Sequence, residues 1–171
     1  MRSAPLQNYS QGIDAAQHAF RTLENIGKTL SLAESCTGGL LGALFTEIPG
    51  SSRLFNGGVC TYTVEAKIKL LGLDAELIER HNVVSHEVAL AMAQSVRRLF
   101  GSDLGIATTG LAGPGGGSAA IPVGTVCWAI SGSDRSGRPL EESFREHFSG
   151  SRWLVRLNTA WHIFEYLQGM A

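Results

Sequence analysis

Ser35 stands where a short apolar run, Leu30-Ser31-Leu32, gives way to a helix-like stretch, within Ala33-Glu34-Ser35-Cys36-Thr37-Gly38-Gly39. A sharp turn from strand into helix suits a nucleophile. It puts the hydroxyl at the carboxyl edge of a sheet, where unpaired amides of the following helix face any oxyanion formed. On this reading the amides around Cys36, Thr37 and Gly38 are the donors, and Gly38 with Gly39 lets a ligand approach the backbone closely. The plainer alternative is that Ser35 or Thr37 only caps the helix. Cys36 is a second candidate nucleophile, but nothing places a histidine beside it, and a small buried thiol is the commoner role.

A hydroxyl needs a base, and two lysines are at hand. Lys69 has a partner in Glu65, four residues earlier and in the favourable order on a helix, whereas Lys67 falls opposite Thr63 and has none. To accept a proton near neutral pH, Lys67 must be lowered from about 10.4 to about 7 or 8, on the order of 4 kcal/mol. A helix dipole supplies about 1 kcal/mol of that at best. Desolvation in a closed pocket must supply the rest. Tyr62 flanks the start of the same helix.

Two further features suit an anion. The run from Thr109 through Gly110, Gly113, Gly115 and Gly116 to Gly117-Ser118 follows a strand and holds five glycines, so successive N–H groups can turn toward a bound anion. It lacks the Gly-Lys-Ser/Thr ending of a Walker loop and the acidic residue of a dinucleotide fingerprint. A long surface loop is the alternative reading. Arg152, with Arg156 four residues on, opens the last helix, where a cation opposes the dipole. An anionic ligand shared by that helix end and Arg152 explains the placement; so does a sideways reach to Glu146 or another carboxylate.

The elements that must position these residues alternate. Ile13, Ala16, Phe20, Leu23 and Ile26 recur at helical spacing before Gly27, and Thr29–Ala33 reads as a buried strand. Leu40 to Phe45 continues as a helix ending before Pro49. Val59–Tyr62 is a short strand, Thr63 caps a helix through Leu71, Asp74 caps another to Arg80, and Ser85 caps a longer one to Leu99. Strands follow over 104–107 and 123–130, then a turn over 131–138, a strand over 142–148 and a C-terminal helix carrying Trp153, Leu157, Trp161 and Phe164. The pattern predicts a tail over 1–9 and one domain over 10–171, an α/β fold built as a three-layer α/β/α sandwich with a mixed sheet.

Composition narrows the function classes. At 171 residues the chain can bury a core without disulfides or a structural metal. A net charge of −1 offers no field for nucleic acid or an anionic membrane, and no apolar stretch is long enough to span one. Charged residues make up only 17%, below the roughly 25% of ordinary soluble domains, so a homo-oligomer is expected. Cys36, Cys60 and Cys127 show no paired spacing, so neither a disulfide framework nor a metal site is expected, and a reducing cytoplasm fits.

With these motifs in hand, the chain resembles the C-terminal domain of the competence/damage-inducible CinA family. The resemblance rests on Ala-Glu-Ser-Cys-Thr-Gly-Gly at 33–39, Thr-Tyr at 61–62 with Glu-Ala-Lys at 65–67, the glycine run at 110–118, and Pro-Val-Gly-Thr-Val at 122–126. It implies a three-layer fold similar to the anticodon-binding domain and an amidase site without metal or cofactor. The implied reaction is hydrolysis of nicotinamide mononucleotide to nicotinate mononucleotide and ammonia, with Ser35 as nucleophile and Tyr62 and Lys67 handling its proton. The substrate's phosphate is expected against the glycine run, with Arg152. Departures fall at Val64, Ile121 and Ser151, where the family usually carries a polar residue, a charged residue and Asp; they are expected to alter the rim. A nucleotide-binding module of the same fold that has lost turnover is the rival reading.

Overall fold

The computed structural model describes residues 7–170, so most of the expected tail lies outside the described residues. Helix α1 (Tyr9–Ile26) begins one residue inside the expected tail. Asn8 caps it in a reciprocal capping box with Gln11, and Gly27 ends it in the left-handed conformation. The chain continues through β1 (Leu30–Glu34), α2 (Leu40–Thr46), β2 (Phe55–Cys60), α3 (Val64–Leu71), α4 (Ala75–His81) and α5 (His86–Phe100). Then come β3 (Leu104–Gly110), β4 (Thr125–Ser133), β5 (Pro139–His147) and α6 (Arg152–Gln168). Thr63, Asp74 and Ser85 cap α3, α4 and α5 through their side-chain oxygens, as expected.

The sheet runs β2-β1-β3-β4-β5. The β1–β2 and β1–β3 pairs are parallel, whereas β3–β4 and β4–β5 are antiparallel. Because pleating sends alternate side chains to opposite faces, Leu30, Leu32, Ile106 and Ile130 bury under α1, α2 and α6, while Ala33, Ala107 and Ala129 bury under α5 with α3 and α4. The result is a mixed three-layer α/β/α sandwich. From β1 the chain crosses to β2 on one side, and β3 then enters on the other. The segments that leave the carboxyl ends of β1 and β3 therefore lie side by side, at the switch point where open α/β sheets bind ligands.

Strand boundaries differ from the sequence expectation, β4 running Thr125–Ser133 against the expected 123–130, and three further differences have tertiary reasons. β2 begins at Phe55 instead of Val59, across Gly57-Gly58, because a Cβ on Gly57 would stand 2.5 Å from Phe100 Cε1; the glycines admit a neighbour and do not mark a loop. β3 runs on to Gly110 because β4 continues to pair with it beyond Ala107, where β1 stops. β5 starts at Pro139, three residues early, extending the hairpin with β4. No helix among the described residues is long and apolar enough to cross a membrane.

The α5 face of the sheet is floored with small residues, and Gly105 is the tightest point. A Cβ there would press on the Ala93 carbonyl oxygen and lie 2.7 Å from Arg97 Cβ. Gly105→Ala is therefore expected to lower unfolding stability by about 2 kcal/mol, through overpacking against a helix backbone that cannot yield. Urea denaturation followed by circular dichroism checks this; an unchanged midpoint would show that α5 shifts freely.

Candidate active site

Lys67 and Ser35, 32 residues apart in sequence, meet in the folded chain. Lys67 Nζ lies 2.9 Å from Ser35 Oγ and 2.7 Å from the Thr61 carbonyl oxygen, to which it donates. The side chain is 1% exposed, and no carboxylate lies within ion-pair distance of it among the described residues. Thr63 turns the chain into α3 so that Lys67, in its first turns, points back at the end of β1. Thr61, whose N–H donates to Glu34 O at 2.8 Å, continues from β2 alongside the end of β1. Burial pushes the Lys67 ammonium down from its ordinary value of 10.5.

Ser35 does not cap α2, and neither does Thr37. The Ser35 N–H donates to the Thr108 carbonyl oxygen at 3.1 Å, and its own carbonyl accepts from Gly38 N at 3.0 Å, closing a tight turn. The Glu34 carboxylate takes the helix end instead, accepting from Gly39 N (2.9 Å), Leu41 N (3.1 Å) and Gly42 N (2.8 Å). This corrects the expected oxyanion site. The amides opening α2 are occupied, and so is that of Gly38. The Cys36 and Thr37 amides donate to no backbone or side-chain oxygen among the described residues.

The cleft in front of Ser35 has a volume of about 200 Å³. Its walls are Cys36, Tyr62, Arg152 and the start of the glycine run, including Gly110, Gly113 and Gly115. Arg152 bridges the mouth: Nη1 donates to Gly113 O at 2.8 Å and Nη2 to the Tyr62 hydroxyl. It does not reach Glu146. Tyr62 is 54% exposed and bonds neither Ser35 nor Lys67, so its hydroxyl belongs to the rim while Lys67 touches Ser35 directly. Burial pushes the Cys36 thiol up to about 12, which keeps it protonated and disfavours it as nucleophile.

A sequence model of the CinA C-terminal domain matches residues 13–171. The chain belongs to the CinA C-terminal domain family. It is 49% identical over 142 residues to a CinA-like protein of Geotalea daltonii, covering 83% of this chain and 33% of that protein. A CinA-like protein of Parasynechococcus marenigrum is 54% identical over 112 residues, covering 66% of this chain and 27% of that protein. This chain thus spans about a quarter to a third of the length of such curated relatives. Among solved structures, a CinA superfamily protein from Klebsiella pneumoniae superposes with a TM-score of 0.86 at 31% identity, over 95% of this chain and 97% of that one. The competence/damage inducible protein CihA from Agrobacterium tumefaciens gives 0.84 at 34% identity, over 99% of both chains.

Not every expected site residue of this CinA-family domain reaches the cleft. Thr37 turns its hydroxyl to Thr108 Oγ1 at 2.8 Å in the interior, and Thr109 donates to the Val83 carbonyl at 2.7 Å; both brace the site. Gly116 lies beyond the lining, farther along the run. Val64, Ile121 and Ser151 are not among the residues that line the cleft. Ser151 caps α6 by accepting from Leu154 N, as Asp would. The ion pair expected between Lys69 and Glu65 is absent: Lys69 is exposed, and the Glu65 carboxylate is held below its ordinary value by the backbone N–H and the Thr63 hydroxyl. Glu34, Thr61, Thr108 and Arg156 were not among the expected site residues. Only Glu34 carried a local signal, as a carboxylate just before a helix.

Because Lys67 is lowered in the folded chain, the unfolded chain binds more protons between that lowered value and 10.5. The stability penalty is complete below the window and gone above it, so stability rises with pH across it. Lys67→Met removes the titration. The stability of the wild type relative to Lys67→Met should therefore increase as pH climbs toward 10.5. Urea melts of both proteins across a pH series read this directly, and a flat difference would contradict a lowered lysine.

Proposed function

We propose that this chain hydrolyses the carboxamide of nicotinamide mononucleotide to nicotinate mononucleotide and ammonia, with Ser35 as nucleophile and Lys67 as general base. The observation that supports this best is the 2.9 Å contact between a buried lysine and a serine hydroxyl, with no carboxylate among the described residues paired to that lysine. A counter-ion would hold the ammonium charged; its absence favours the free base.

Once neutral, Nζ can keep Thr61 O as its acceptor while its lone pair takes the Ser35 proton. Oγ then adds to the carboxamide carbon, and the oxyanion is met by the unclaimed amides of Cys36 and Thr37. The Lys67 ammonium returns its proton to the amide nitrogen, the C–N bond breaks and ammonia leaves. Water, deprotonated by Lys67, attacks the ester on Ser35; the carboxylate departs and the hydroxyl is restored. The substrate phosphate lies along the glycine run beside Arg152, whose guanidinium has only neutral oxygens as partners in the structure described. The resemblance to amidases of the CinA family motivates the choice of substrate.

Ammonia release from the mononucleotide should vanish in Ser35→Ala and survive in Cys36→Ala. Tight substrate binding without ammonia from the wild type would favour a silent binding module instead. Lys67→Arg should be nearly as damaging as Lys67→Ala, since arginine stays protonated, while Lys69→Ala should be near neutral; steady-state kcat measures both.

Removing the phosphate, by offering nicotinamide riboside, should cost the wild type several kcal/mol in kcat/KM, and Arg152→Ala should erase part of that preference. Equal losses on both substrates would assign Arg152 to the fold alone.

A further inference from the structure

Arg156 carries a guanidinium that the mechanism above does not use. It lies one turn beyond Arg152 on α6, is half-buried, and forms no ion pair with a carboxylate among the described residues. Drawing a cation out of water without a counter-ion is costly. Here both Nε and Nη2 converge on one neutral acceptor, the carbonyl oxygen of Thr37, at 3.0 and 2.6 Å. That oxygen lies two residues from the nucleophile.

The acceptor belongs to a peptide group held at both ends. Arg156 grips the oxygen of the Thr37–Gly38 peptide, while its N–H donates to the Ser35 carbonyl and closes the turn. Leu40 N, at the start of α2, also donates to the Thr37 carbonyl oxygen at 3.2 Å, and further bonds tie the turn to β3, through Ser35 N to Thr108 O and through the paired hydroxyls of Thr37 and Thr108. A Cβ on Gly38 would come within 3.5 Å of Arg156 Nη2 and 4.0 Å of Tyr62 Cε2, so the guanidinium borders the turn on the side of the cleft that Tyr62 occupies. The turn is thus braced by β3 through Thr108, by α2 through Leu40 N, and by α6 through one charged fork.

We propose that Arg156 is a positioning residue for catalysis: it locks the Ser35–Gly38 turn, and with it the Ser35 hydroxyl and the unclaimed amides of Cys36 and Thr37, in register with Lys67. This rests on the reading of Ser35 as nucleophile. A fork of two N–H groups on one oxygen is something lysine cannot reproduce. Arg156→Lys and Arg156→Ala should therefore lower kcat on the order of 10-fold to 100-fold, the effect of small misplacements of reacting groups. KM and the melting temperature should change little, and the pH midpoint of kcat should stay where it is, since Lys67 is untouched. Millimolar guanidinium should restore part of the rate in Arg156→Ala and none in Ser35→Ala.

Acylation of Ser35 by p-nitrophenyl acetate, followed by burst kinetics and intact mass, tests the same point without the mononucleotide. Slower acylation in Arg156→Lys supports the proposal even if the wild type releases no ammonia from the mononucleotide, in which case only the substrate reading fails. Equal acylation rates in wild type and variant, or no acylation of Ser35 in the wild type, overturn it. So does a rise in KM with kcat retained, which would make Arg156 a ligand-binding group. A shifted pH midpoint, which would mean that it acts on Lys67, or a melting temperature that falls in step with kcat without guanidinium rescue, overturns it equally.

Discussion

The contact between Lys67 Nζ and Ser35 Oγ sets the terms for the rest of the site, because a lysine that is 1% exposed and has no carboxylate partner among the described residues is tolerated only where its amine is well bonded. Thr61 supplies one acceptor and Ser35 the other. Thr61 is in turn fixed by donating its N–H to Glu34 O, so the bonds form a ring from Ser35 through Glu34 and Thr61 to Lys67 and back. Each link lies just beyond a strand end or in the first turns of α3. The parallel pairing of β1 with β2 is what brings those ends together.

Glu34 resolves a competition that this geometry creates. A helix starting five residues after a strand directs free amides and a partial positive charge at the strand end, where they would stabilise any nearby anion. The Glu34 carboxylate, 4% exposed, absorbs three of those amides and leaves the helix end neutralised. In the proposed reaction, transition-state charge then falls to the turn itself. The distinction matters because donors in a short, braced turn are held to a geometry that helix fraying would blur.

Cations are also sorted by role. Lys67 is buried in contact with Ser35, Arg156 grips the turn on the side where Tyr62 lies, and Arg152 spans the mouth between Gly113 and Tyr62. None of the three pairs with a carboxylate among the described residues. A cluster with this bias would lower the cost of bringing in the anionic substrate proposed above.

The sequence by itself determined the elements and their order, since capping residues, stop glycines and apolar spacing act over a few residues: Thr63 and Gly72 around α3 and Ser85 before α5 stand as their chemistry requires. It also singled out Ser35 and Lys67, through a strand-to-helix turn and a lysine lacking a helical partner. Only the tertiary structure decided that Glu34 and not Ser35 or Thr37 satisfies α2, that Thr109 braces Val83 instead of facing the cleft, and that Tyr62 belongs to the rim. Those outcomes depend on which groups approach from distant parts of the chain. A hydroxyl or carboxylate can serve several neighbours equally well, and local sequence carries no record of which one folding will bring within hydrogen-bond reach. The same reason hid Arg156, whose acceptor lies 119 residues away on the turn that holds Ser35.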